Sequence, residues 1–395
     1  MTGARLMLAT RGVRAIADGV MSASLTAILL ARGLNESAVG LVSTATLLGS
    51  ATSLLLITRF AAQLRPYRVL MGMSLLMIVT GLTFASTGDL AVLLVVSIIG
   101  PLNPSSGDVS PFLPAEQTIV GSASTGEART RAFARFSLVA SGGAAIGAFL
   151  AGPLAALGRR LGFDGSGGVA VNAVFYAAIG LLVLPIYLKC MRGGSHATAV
   201  SSPGRLGPSR KTIRELTAIF ALDSGGGGMV LNSILALWML GRFGFDIGRV
   251  GLVLGFMSLA SATSALAAPK LASRFGLVET MVVTHAVANV FLIAAAFAPT
   301  APTAVACLIV RALLSQLDVP PRTSLVMALV TPAERSAAAA FTNLPRSVAT
   351  ATTPLLAGAM LDHSTFGWPL VAGGTMKLVY DALLWKRFRH RQPPR

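Results

Sequence analysis

Apolar runs of about 20 residues follow one another along almost the whole chain, and this restricts the fold more than any motif does. Each run is long enough to cross a ~30 Å hydrocarbon core as a helix, and a bilayer leaves a spanning backbone only helices or a closed barrel. Composition agrees, with 54% of the 395 residues hydrophobic and 12% charged, against about 25% charged in soluble domains. The pattern predicts an all-α polytopic membrane protein. Twelve transmembrane helices are expected, near 12–32, 38–58, 69–87, 90–110, 132–157, 169–189, 215–240, 249–268, 277–298, 302–320, 337–361 and 366–385. The first is not expected to be a cleaved leader, because Arg14 and Asp18 interrupt it and no small-residue cleavage site follows.

A net charge of +17 would suit a nucleic-acid partner only if it were gathered on one face. Instead the basic residues fall in every second loop. With both termini cytoplasmic, about 24 of the 32 Lys and Arg lie in cytoplasmic loops and tails. The expected setting is the lipid bilayer of the cell (inner) membrane, multi-pass, with no nucleic-acid partner. The stretch "MRGGSHATAVSSPGRLGPSRKTIRE" (191–215) is rich in Gly, Ser, Pro and basic residues and reads as a flexible cytoplasmic linker. It divides an N-terminal six-helix bundle, 1–190, from a C-terminal one, 215–395, that ends in a short cytoplasmic tail, leaving 191–214 as the linker.

The two parts repeat one another. "RAIADGVMSAS" and "IFALDSGGGGMVLNS" place Asp18 against Asp223 at an offset of 205, and "GDVSP" and "LDVPP" pair Asp108 with Asp318 at 210. Glu127 matches Glu334 at 207, and "GAFLAG" ending at Gly152 matches "TPLLAG" ending at Gly358 at 206. Four matches in one order at nearly one offset indicate an internal duplication, which in transporters sets the ligand site between the halves near mid-membrane. No Lys follows a Gly, so the phosphate-cradling loop of ATPases is absent, and neither H-E-x-x-H nor C-x-x-C occurs. With Cys190 and Cys307 isolated from one another, no metal or other cofactor is expected, and no nucleophile–base cluster points to an enzyme.

At this point the chain resembles the major facilitator superfamily over essentially its whole length, as two pseudo-symmetric six-helix bundles around a basic linker. In "FAAQLRPYR" (60–68) Arg65 and Arg68 match the family's loop signature, while Leu64 replaces its acid. In "PKLASRFG" (269–276) Arg274 and Gly276 match, while Ser273 replaces the acid. The stretch "VTPAERSAAAAFTNLPRSVATATTPLLAG" is closest to efflux-type members. The resemblance implies a secondary transporter (permease) moving a small-molecule substrate by alternating access. Proton coupling is expected, export is slightly favoured, and a monomer is the expected state. One alternative within the class is a multidrug cation/proton antiporter. Another, of a different class, is a non-transporting receptor or scaffold on a transporter fold, which normally adds a folded soluble domain or a long tail.

Depth sorts the candidate residues. Asp18 and Asp223 lie a third to halfway into the first span of each half, where a buried acid is a natural carrier of the coupling proton, H+. Arg311 and Arg346, each about ten residues into a span, are candidates to clamp an anionic group of the substrate. Asn232, His285, Asn289 and Gln316 complete the candidate binding set. His285 with Asn289 also reads as a polar helix–helix contact, and the glycines 225–228 predict a bend beside Asp223. Lys377 and Asp381, four apart, are expected to neutralise one another. In "GPLNPSSGDVSPFLPAEQTIV" (100–120), Pro101 lies roughly 16 Å from the outer end and Asp108 roughly 27 Å. The prolines should break the helix at cavity depth, leaving Asp108 at the cytoplasmic mouth. Asp108, Asp318, Glu116, Arg135, Arg322, Glu127 and Glu334 are therefore the candidate gate.

Overall fold

The computed structural model describes residues 2–60, 65–104, 110–122, 126–163, 165–192, 207–331 and 334–389, and these are helix and turn without a strand. Before the linker run α1 (Thr2–Ala31), α2 (Glu36–Arg59), α3 (Pro66–Ser86), α4 (Leu90–Ile99), α5 (Leu113–Ser122), α6 (Gly126–Arg160) and α7 (Ser166–Arg192). After it come α8 (Arg210–Gly228), α9 (Asn232–Phe243), α10 (Ile247–Phe275), α11 (Leu277–Phe297), α12 (Ala301–Leu314), α13 (Val319–Ala328), α14 (Arg335–His363) and α15 (Trp368–Phe388). Among the described residues nine helical rods are long and apolar enough to cross a bilayer. Local chemistry sets their ends. Asp89 caps α4 by accepting from the Val92 N–H at 3.0 Å, and Asp246 caps α10 by accepting from the Arg249 N–H at 2.9 Å. The α9 helix stops at Gly244, whose φ of +63° is the left-handed conformation a side chain resists.

Three interruptions, between α4 and α5, α8 and α9, and α12 and α13, break the helical run, and the last two each lie within one membrane-length rod. Prolines 101, 104 and 111 lie in the first break, Gly225–Gly228 lead into the second, and Pro320 and Pro321 open the helix after the third. Carbonyls freed in the first break find partners. Pro101 O accepts from the Tyr176 hydroxyl at 3.3 Å, and Pro104 O accepts from the Ser233 N–H, also at 3.3 Å.

These breaks correct the depth count. A rise of 1.5 Å per residue holds only along an unbroken helix. The fourth and tenth spans were expected to end near 110 and 320, but the rods run on to Ser122 and Ala328. Glu116, Asp318 and Arg322 are buried, at 0%, 1% and 7% exposure.

The start of α1 and the end of α15 lie at one end. The α1 rod runs beside α9, with Thr26 bonded to Ser233, and Arg387 near the end of α15 meets Glu215 near the start of α8 at 3.3 Å. The halves are joined toward the opposite, far end. There α2 packs along α14 and α6 along α10. Asp362 accepts from Ser37 at 2.7 Å, and Thr44 Oγ1 accepts from the Leu355 N–H at 3.0 Å. Glycines permit the closest approaches. A Cβ on Gly40 would stand 3.0 Å from Gly358 Cα, and one on Gly152 would stand 2.5 Å from Gly248 Cα. The duplication relates these two contacts, because Gly152 and Gly358 end its matched stretches. Ser233 ties the halves with all three of its polar groups. Its N–H donates to Pro104 O, its C=O accepts from Thr26 at 2.7 Å, and its hydroxyl meets that of Ser43 at 2.9 Å.

Candidate functional site

Each half buries one cluster of charged side chains. In the first half, α1 supplies Arg11, Arg14 and Asp18 at helical spacing, and α5 brings Glu116 against them. Glu116 accepts from Arg14 at 2.6 Å and from Arg11 at 3.3 Å, and the Arg14 guanidinium stacks 3.6 Å over Phe112. Asp18 is held loosely. Its Oδ2 lies 3.8 Å from Arg14, and its buried Oδ1 has no hydrogen-bond partner among the described residues. Two cations face two carboxylates, so the cluster is neutral when all four are charged. Asn172 on α7 extends the polar lining, donating to Ser24 at 2.7 Å and to Ala151 O at 2.9 Å.

The second cluster joins α8, α11, α13 and α15. Asp223 sits at its centre, 2.6 Å from Lys377 Nζ, 3.0 Å from Arg322 Nη2 and 3.3 Å from His285 Nε2. Arg322 also pairs with Asp318 one turn before it. His285 turns its other nitrogen to Asp381 at 2.9 Å, and the Asn289 side chain bonds the His285 carbonyl at 2.8 Å. Such burial is tolerable only because each acid has a cation or a donor against it. Arg311 of α12 and Arg346 of α14, both half-buried, lie within electrostatic reach of Asp223. Arg346 Nε donates to Ser224 Oγ at 3.1 Å, and its guanidinium lies 6.0 Å from the Phe220 ring.

Asp18 on α1 and Asp223 on α8 sit in unlike surroundings. Glu116, expected at a gate, is instead the buried partner of Arg11 and Arg14. Asp318 and Arg322 likewise belong to the Asp223 cluster, because the break after α12 carries them back into the bundle. Lys377 and Asp381 do not neutralise one another. Asp223 and His285 offer each of them a hydrogen-bonding partner at 2.6 and 2.9 Å from a neighbouring helix. Glu334 secures the end of the linker, accepting from the Gly207 N–H at 2.6 Å and from the Ser209 and Thr331 hydroxyls at 2.8 Å each. These bonds, that from Ser209 foremost, hold its carboxyl down to about 2. Arg135 is exposed on α6, Gln316 lies in the turn between α12 and α13, and Asn232 opens α9. Asp108 falls outside the described residues, as does the side chain of Glu127 on α6. Arg11 was missed by the sequence reading, although its spacing from Arg14 and Asp18 places all three on one helix face.

The comparisons with known proteins agree with this architecture. The sequence profile of the Major Facilitator Superfamily matches residues 216–395. An uncharacterized membrane protein of Saccharomyces cerevisiae, YJR124C, is 23% identical over 418 residues, covering 96% of this chain and 92% of its own length. A mutant of the nucleoside transporter NupG superposes with a TM-score of 0.77 at 12% identity, over 98% of this chain and 99% of its own. A bacterial homolog of the human lysosomal transporter Spinster, inward-facing and occupied, gives 0.73 at 14%, over 98% and 96%. At such identities the likeness is one of fold, and the cargoes named for those proteins remain theirs. The family's sequence signal thus covers residues 216–395, and the fold of these solved transporters extends over the whole length of the chain.

Proposed function

We propose that this protein is a proton-coupled secondary transporter of a small organic solute in the cell (inner) membrane. It works as a monomer, rocking its two halves about a central site, with both termini cytoplasmic and export the favoured direction. In that orientation the far-end contacts seal the outside, and the conformation is inward-facing. Basic loops on the terminal side support the orientation, and the likeness of the stretch from 330 to 358 to efflux-type members supports the direction.

One observation carries the coupling: the matched acids are held unequally. Asp223 is ringed by Lys377, Arg322 and His285 at 2.6 to 3.3 Å. A carboxylate so neutralised has no use for a proton. Asp18 has one cation at 3.8 Å and one oxygen with no partner among the described residues, so a proton can be exchanged there without dismantling an ion network. We therefore assign the proton to Asp18 and a structural role to Asp223. The cation-antiporter alternative, with Asp223 binding a cationic solute directly, meets three groups already occupying that acid.

The test begins with a thermal-shift screen of the purified protein against metabolites and drugs, since a ligand stabilises as RT ln(1 + [L]/Kd). With the hit in proteoliposomes, Asp18→Asn should abolish accumulation driven by a pH gradient and leave solute exchange intact. Accumulation that survives in Asp18→Asn would remove the proton from this residue.

A further inference from the structure

We infer that the second half contains a binding site for the oxyanion group, carboxylate or phosphate, of a small organic anion, gripped by Arg311 and Arg346. The inference rests on the transporter reading for the ligand's role as cargo, but the site itself follows from charge and contact.

The second cluster holds four permanent cations, Arg311, Arg322, Arg346 and Lys377, against three carboxylates, Asp223, Asp318 and Asp381. Every acid is engaged: Asp223 by Lys377, Arg322 and His285, Asp318 by Arg322, and Asp381 by His285. Arg311 and Arg346 have no carboxylate within ion-pair distance among the described residues. Yet both are withdrawn from full exposure on rods that enclose the cluster. A guanidinium in such a place is costly to keep unless it meets an anion. The described residues supply none, which leaves the place open to an anion from outside.

The surroundings are built to hold it. Ser224, next to Asp223, accepts from Arg346 Nε at 3.1 Å, which fixes the guanidinium plane and leaves its terminal nitrogens to grip a ligand. Among the described residues Arg346 Nη1 reaches only Asn343 Oδ1, at 3.5 Å. Arg322 and Arg346 stand 5.4 and 6.0 Å from the same Phe220 ring, and Arg322 stands 5.9 Å from Tyr380. Beside them, two deeply buried polar atoms, Arg322 Nε and the Tyr380 hydroxyl, have no hydrogen-bond partner among the described residues. Arginine forks match the two oxygens of a carboxylate or phosphate, which a lysine ammonium cannot do. The first half has no such surplus. In its buried cluster Arg11 and Arg14 face Glu116 and Asp18, so the anion is selected by the second cluster.

The experiment uses the full chain in detergent, with melting temperature as readout, at matched ionic strength. The probes are benzoate, phenylphosphate, benzylamine and benzyl alcohol. Benzoate or phenylphosphate should raise the melting temperature while benzylamine and benzyl alcohol do not, and the better of the two anions names the group. Arg346→Gln and Arg311→Gln should each weaken the apparent affinity more than tenfold, whereas Arg249→Gln, at the exposed start of α10, should leave it unchanged. Arg346→Lys keeps the charge and removes the fork. It should also lose most of the affinity, and it serves where the glutamine variants fold poorly. Stabilisation by neither anion, equal stabilisation by benzylamine, or full affinity in the arginine variants would overturn the site. An anion that stabilises the protein but is not moved in proteoliposomes leaves the site standing and refutes the transporter role instead.

Discussion

Placing a methyl group on the far-end seam should bias the protein toward a conformation in which that end is open. At Gly152 a Cβ would stand 2.5 Å from Gly248 Cα, while ordinary contact begins at 3.4 Å, so α6 and α10 must part by about 1 Å. The twin contact is as tight, a Gly40 Cβ lying 2.4 Å from Pro354 O. Overpacking of this kind costs about 1–3 kcal/mol, and here the cost applies only while the far end is closed. The helix-propensity gain of Ala over Gly is present in both conformations and cancels. The ratio of far-end-open to far-end-closed molecules should then rise about 5- to 150-fold in Gly152→Ala. A cysteine at Ser43, fully buried in this seam, reports the change in a background lacking Cys190 and Cys307. Its labelling by a membrane-impermeant maleimide from the far side should accelerate by a similar factor. Gly40→Ala should act in the same direction, and the two together roughly additively, because they share no partner. Unchanged labelling in both single variants, at unchanged melting temperature, would show that the seam does not set the equilibrium.

Two further outcomes follow from the charge clusters and the linker. Lys377→Met strips Asp223 of its closest cation and should destabilise the protein by about 3–5 kcal/mol, with Lys377→Met/Asp223→Asn recovering much of the loss; thermal unfolding of the three variants checks it, and additive losses would refute the pairing. Glu334→Gln should lower the melting temperature at neutral pH. Because the folded carboxyl sits at about 2 against an ordinary 4.5, its stabilisation is complete above the ordinary value and fades as pH falls toward 2. A difference between wild type and variant that persists unchanged across that window would count against the linker anchor.

Much of the fold was legible because lipid enforces it. Apolar runs, alternating basic loops and a duplicated order of motifs leave few arrangements of the chain. Breaks were legible too, since Pro101, Pro104 and four consecutive glycines have no place in an uninterrupted helix. What the sequence hid was the path through each break. Glu116 and Arg322 were grouped with the cytoplasmic gate, and nothing in their spacing showed that each is buried in a charged cluster. Partner choice was equally hidden. Lys377 and Asp381 are neighbours on one helix, yet each is claimed by a different helix, α8 for one and α11 for the other. Spacing within a helix shows which groups share a face, and only packing between helices shows what that face meets. Asp18 and Asp223 illustrate the same limit, being matched in the duplication and set apart by the cations around them.

Ser233 has a consequence for how the far end can open. It is the second residue of α9, where a helix start leaves N–H groups without internal partners. The carbonyl it meets, on Pro104, was freed by the break in the other half, so two interruptions complete each other across the seam. Parting the halves strips Ser233 of its three partners together, and in a bilayer interior no lipid tail can replace them. Only water can, at little enthalpic loss. The far vestibule therefore cannot open dry. Its opening is a wetting event, in which a file of water must reach the middle of the membrane as the helices separate.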